Sequence, residues 1–175
     1  NFLYPATANA CTAILHYINI GKYDLSKISK TDVTNGKREV FRNWKKKLLS
    51  VTEDYAELDK KAINVMNEFK TGKDYTKAQI KDLMGEMEEI RLAVVSLKIP
   101  QGFSDEITDE LNRMKVDYQN GNNDRQAGLW KIAMFNDGIG SRAVTISGID
   151  SCIKTSGEFF MHYQRRMKEF DRIFE

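Results

Sequence analysis

The chain has two histidines and two cysteines, the side chains outside the carboxylates best suited to holding a metal: His16, His162, Cys11 and Cys152. Glu158 and His162 stand four apart, and Glu86 and Glu89 three apart, so each pair shares one face of a helix. A di-metal carboxylate bundle needs a Glu-x-x-His pair on each of two helices and a further Glu from each of the others. No Glu-x-x-His occurs in this chain. Glu86 and Glu89 also fall off the apolar seam of Leu83, Met87 and Ile90, where a buried metal would sit. The expectation is no metal and no cofactor.

The two cysteines are too far apart for a CxxC redox motif or a cysteine-rich zinc site. Two readings stay open for them. Both are buried free thiols, or a Cys11–Cys152 disulfide ties the first helix to the last, which implies an oxidising compartment. A Cys–His nucleophile pair is disfavoured, because both cysteines lie on or beside apolar seams, where thiols are inert.

Gly138-Ile139-Gly140-Ser141 has the glycines of a phosphate loop, but no strand precedes it and no Lys follows in place. It reads as an interhelix turn. No Gly-x-Ser-x-Gly elbow is present. The chain is therefore expected not to be an enzyme. Lys45-Lys46-Lys47, beside Trp44, reads as a solvated helix face; the other reading is a membrane-surface or partner-binding face. Leu129, Trp130, Met134 and Phe135 are too apolar for an exposed connector. They either cap one end of the core or form a binding patch, since aromatics and Met are enriched at interface centres.

The elements that must position these residues come from apolar periodicity. Steps alternating three and four run through Phe41, Trp44, Leu48, Val51, Tyr55, Leu58, Ala62, Val65 and Phe69, which predicts one long helix over 37–70. Ile80, Leu83, Met87, Ile90, Val94 and Leu97 predict a helix over 76–98, with Thr76 as N-cap and Pro100 beyond its end. Phe103, Ile107, Leu111, Met114 and Tyr118 predict a helix over 104–119, opened by Ser104. The run Asn120-Gly121-Asn122-Asn123-Asp124 is the clearest breaker, so 125–136 is expected as a short helix, or as a kinked continuation. Ile146, Ile149, Ile153, Ser156, Phe160, Tyr163, Met167, Phe170 and Phe174 predict a last helix over 142–174. Ala8, Cys11, Leu15 and Ile18 predict a short first helix over 5–19.

Short connections make consecutive helices antiparallel. The fold class expected is all-α: an elongated antiparallel up-down bundle of four main helices plus a short N-terminal helix, in a single domain over 1–175. Leu58→Asp or Phe160→Asp is expected to unfold it by burying an unpaired charge.

Composition narrows the function classes. The net charge of +2 on 175 residues leaves no basic stripe of the kind nucleic-acid binding needs. No run of about 18 apolar residues is present to span a membrane. The sequence starts at Asn1 and the last seam reaches Glu175, so flanking segments are expected, through which membrane association could arise. With the possible disulfide, this favours an extracytoplasmic location, secreted or on the cell surface, over a cytoplasmic one. The Ile99-Pro100-Gln101-Gly102-Phe103 connection resembles a style found in helical surface lipoproteins of bacteria, but five residues assign the chain to no family. The function expected is a non-enzymatic binding or scaffold module whose partner is a protein or a small ligand. The alternatives are a ligand-sensing ectodomain of a membrane receptor and a membrane- or lipid-interacting helical protein.

Overall fold

The computed structural model describes residues 24–175. The helix expected over 5–19, with Cys11 and His16, lies outside them. Every regular element among the described residues is helical. Two single-turn 3-10 helices, Leu25–Lys27 and Lys30–Asp32, lead into five α-helices. These are α1 (Asn35–Thr52), α2 (Tyr55–Lys70), α3 (Lys77–Ser96), α4 (Asp105–Asn136) and α5 (Arg142–Phe174).

The architecture is the expected antiparallel bundle. α1 and α2 together form one long side, and α3, α4 and α5 follow as the other three. α4 is the central helix: it packs against α2, α3 and α5, most extensively against α5. Its 32 residues span about 48 Å at the rise of an α-helix.

Helix boundaries follow local chemistry. Thr76 closes a capping box with Gln79: its hydroxyl accepts from the Gln79 N–H, and the Gln79 side chain accepts from the Thr76 N–H. Ser104 accepts from the Ile107 N–H, with Asp105 and Glu106 in the first turn against the helix dipole. Ser141 caps α5 through the Val144 N–H. Between α4 and α5, Gly138 and Gly140 both take φ of +80°, a region that costs a side chain strain, so Gly138–Ser141 is the interhelix turn expected.

Two boundaries differ from the sequence expectation. The helix expected over 37–70 is two helices, with a break at Glu53–Asp54. Beyond that break the expected seam holds at Tyr55, Leu58, Ala62 and Phe69, and differs at one position: Met66 is fully buried and Val65 half-buried. The helices expected over 104–119 and 125–136 are one, and α4 runs through Asn120–Asp124 without a break. The reason is the central position of α4. A helix with neighbours on three sides needs small residues where they approach closely. A Cβ at Gly121 would lie 2.8 Å from the Phe160 ring, and one at Gly128 would lie 2.5 Å from Met66 Sδ. Asn122 is likewise fully buried: its amide donates to Met87 O at 3.0 Å, and its oxygen accepts from Gln126 Nε2 at 2.8 Å. Residues that signal a loop in isolation are here the small and polar contacts of a buried helix.

The core draws buried side chains from all five α-helices. Phe41, Phe170 and Phe174 stack at one end, with Phe41 and Phe174 ring centroids 4.8 Å apart. Trp44 faces this core and not the solvent, and its indole N–H donates to Lys98 O at 2.9 Å. Beside it, Lys45 pairs with Asp171 at 2.7 Å, so one of the three consecutive lysines is engaged within the bundle.

Candidate functional site

A groove lies beside the break between α1 and α2. Its cavity volume is about 590 Å³, within the size range of small-molecule sites. Leu49 and Thr52 line it from the end of α1, and Ala56 and Asp59 from the start of α2. Tyr118 and Arg125 of α4 form its back, and Gly157, Phe160, Met161 and Tyr163 of α5 the facing side. Helical spacing explains the set. Tyr55 and Asp59 are four apart, and Gly157, Phe160 and Tyr163 three apart, so each group shares one helix face.

Four aromatic rings make the inner wall. Tyr55 and Tyr118 have centroids 5.3 Å apart, and each lies 5.8 Å from Phe160. Tyr163 meets Tyr118 edge-on at 5.2 Å. Arg125 lies over the Phe160 ring, 5.4 Å from its centroid. It donates from Nε to Asp59 Oδ1 at 2.8 Å and from Nη1 to Ile153 O at 3.4 Å. The groove therefore carries one carboxylate and one guanidinium that neutralise each other. Burial pushes the Asp59 carboxyl upward and Arg125 opposes the shift.

The Tyr55 and Tyr118 hydroxyls distinguish this place from the rest of the core. Both residues are about 95% buried, at 5% and 4% exposure, and neither hydroxyl has a protein hydrogen-bond partner. Burial and the nearby Asp59 carboxylate hold both phenols protonated, well above their ordinary range. Leaving a buried donor unsatisfied costs about 1–3 kcal/mol, and native interiors do so rarely. Two such hydroxyls lie here on neighbouring rings.

A second polar cluster lies further along α4 and α5 and is closed. Arg166 donates from Nε to Glu110 Oε2 at 3.0 Å and from Nη1 to Asp117 Oδ2. All three residues are nearly fully buried. Its charged groups pair with one another, with Arg113 also on Glu110 at 3.0 Å. A third set links Gln126 Nε2 to Glu88 Oε1 at 3.0 Å, and Glu88 is held down to about 2 by the Arg91 guanidinium.

The residues singled out in the sequence are placed as follows. Leu129 is fully buried. Trp130 is exposed at 39%, with Lys81 Nζ 5.9 Å from its ring centroid. Met134 and Phe135 are half-buried; Phe135 meets Phe69 edge-on at 5.4 Å, under the Arg142 guanidinium. The four thus point to different surroundings, and the core side takes Leu129 and Phe135. Cys152 is half-buried against Gly128, and burial pushes its thiol upward. Cys152 is a free cysteine among the described residues, and Cys11 lies outside them. His162 has Arg165 Nη2 at 3.2 Å from Nδ1, and burial with the adjacent arginines pulls its pKa down. No group of three or more His, Cys, Asp or Glu among the described residues is placed to hold a metal ion. No helix among them is long and apolar enough to cross a membrane.

The groove residues escaped the sequence reading because their seam positions look like ordinary core. Tyr55, Tyr118, Phe160 and Tyr163 all fit the heptads. The available signal was that three of the four are tyrosines, whose hydroxyls need partners when buried. Compared with family models, curated proteins and solved structures, the chain matches none of them.

Proposed function

We propose that this chain is a non-enzymatic helical binding module that takes a small guest in the groove at the α1–α2 break. The observation that carries the reading is the pair of buried tyrosine hydroxyls without protein partners at the wall of a groove of about 590 Å³. The mixed lining supports it: mostly apolar walls with a few polar groups is the usual make-up of a ligand site.

The test is a fragment panel followed by protein-observed NMR on the full chain. Binding fragments are expected to shift resonances of Tyr55, Tyr118 and Gly157 together. Gly157 has open space where a Cβ would stand, so Gly157→Leu fills the mouth without disturbing the helix and is expected to abolish those shifts. Hits that map elsewhere, or that survive Gly157→Leu, overturn the reading.

The sensor form of this proposal is favoured by one feature. The groove straddles the joint between α1 and α2, with Leu49 and Thr52 on one side and Ala56 and Asp59 on the other. A guest touching both sides binds one angle of the joint better than another, which is what a ligand-driven shift requires. Spin labels on Lys46 and Lys61 would report the change in distance when a fragment binds; an unchanged distance removes the sensor form.

A further inference from the structure

Resting on that reading of the groove, we infer the chemical class of its guest: a small neutral molecule with an apolar or aromatic body and one oxygen acceptor, such as a carbonyl. Three observations carry the assignment. The walls are the side chains of Leu49, Met161, Phe160 and the tyrosine rings, which suit a flat apolar body. The charges are already balanced, because Arg125 Nε is spent on Asp59 at 2.8 Å. An anion entering beside Asp59 meets a like charge, and a cation meets the guanidinium; either costs more than a neutral group in a partly desolvated site. The buried groups left over are the Tyr55 and Tyr118 hydroxyls, while the Gln164 amide lines the groove on its exposed side. A phenol is a good donor, so its complement is an acceptor oxygen.

Both hydroxyl oxygens are buried, so the guest reaches them by shifting side chains of the groove wall. Open space lies one turn back on α5, at Gly157. Side-chain movement of this kind is common on binding.

Three probes with the same ring test the class: acetophenone, benzoate and benzyltrimethylammonium. The full chain carries tyrosine labelled with carbon-13 at Cζ, the carbon that bears the hydroxyl. Acetophenone is expected to shift the Cζ signals of Tyr55 and Tyr118 saturably, binding about tenfold more tightly than either charged probe. The double variant Tyr55→Phe/Tyr118→Phe, checked for folding by its amide spectrum, is expected to bind acetophenone about tenfold more weakly, the loss of two neutral hydrogen bonds. If a charged probe binds as tightly and shifts the same two tyrosines, or if the double variant keeps its affinity, the guest class is overturned while the groove remains a binding site. If no probe moves either tyrosine, or another segment of the chain fills the groove and blocks all three, both the class and the binding reading fall.

Discussion

Gly121 of α4 and Phe160 of α5 are in such close contact that a methyl group on Gly121 would stand 2.8 to 2.9 Å from three atoms of the Phe160 ring edge. That contact packs the Phe160 side of the groove wall against α4. Alanine normally stabilises a helix interior by about 1 kcal/mol over glycine. At Gly121 the overlap is expected to reverse the sign, with Gly121→Ala destabilising by about 1–2 kcal/mol as an overpacking change. Gly85, in α3, has open space around it, so Gly85→Ala is expected to stabilise by up to about 1 kcal/mol. Urea unfolding of the two variants gives opposite signs if this holds, and equal signs refute it.

Tyr55 and Tyr118 bear on stability and binding in opposite ways. Removing a buried hydroxyl that has no partner relieves a desolvation cost. Tyr55→Phe and Tyr118→Phe are each expected to leave stability unchanged or raise it by about 1 kcal/mol, while weakening the guest. A trade of stability against function of this kind is usual for site residues. A clear loss of stability in the unliganded variants would show that the hydroxyls serve the fold.

Asp117 gives a pH dependence of known sign. Burial pushes its carboxyl up to about 7 despite Arg166, with Arg165, Arg113 and Glu110 also acting on it. In the unfolded chain the value is about 4. A carboxyl raised on folding stabilises the fold fully below the unfolded value, and this contribution is lost as pH rises through the folded value. Asp117→Asn removes the titration. The stability of wild type minus that of the Asn variant is expected to fall between about pH 4 and pH 7 in urea unfolding. A difference that stays level across the window contradicts the assignment.

Arg166→Met leaves Glu110 and Asp117 buried without the guanidinium between them. The expected cost is about 3–5 kcal/mol, as for other buried ion pairs broken from one side. A loss under about 1 kcal/mol would mean that Arg113, 3.0 Å from Glu110, suffices to neutralise the cluster.

Lys115 ends α3 from outside it. Its ammonium donates to Val95 O at 3.3 Å and to Leu97 O, and burial pulls its pKa down. Lys115→Met keeps the stem and strips the donor from two carbonyls at the helix end. The change is expected to cost about 1–3 kcal/mol, with faster amide exchange confined to the last turn of α3. Unchanged exchange there would show that water caps the turn equally well.

Much of the fold follows from the sequence alone. Steps of three and four among Phe41 to Phe69, Ile80 to Leu97 and Ile146 to Phe174 determine the helical class. Ser104, Thr76 and Ser141 start helices, and the short connections settle the antiparallel order. Hydrophobic spacing and caps are local, so they can be read locally. Tertiary structure decided two other things. It made α4 continuous through Asn120–Asp124, because a helix buried on three sides needs small and polar residues at close contacts that a propensity scale counts against it. It also converted four residues of the apolar seams, Tyr55, Tyr118, Phe160 and Tyr163, into the wall of a groove. The break at Glu53–Asp54 ends α1, and neighbours on α4 and α5 leave two hydroxyls without a partner. Whether a seam position becomes core or groove wall depends on what stands opposite it, and that is set only when the helices pack.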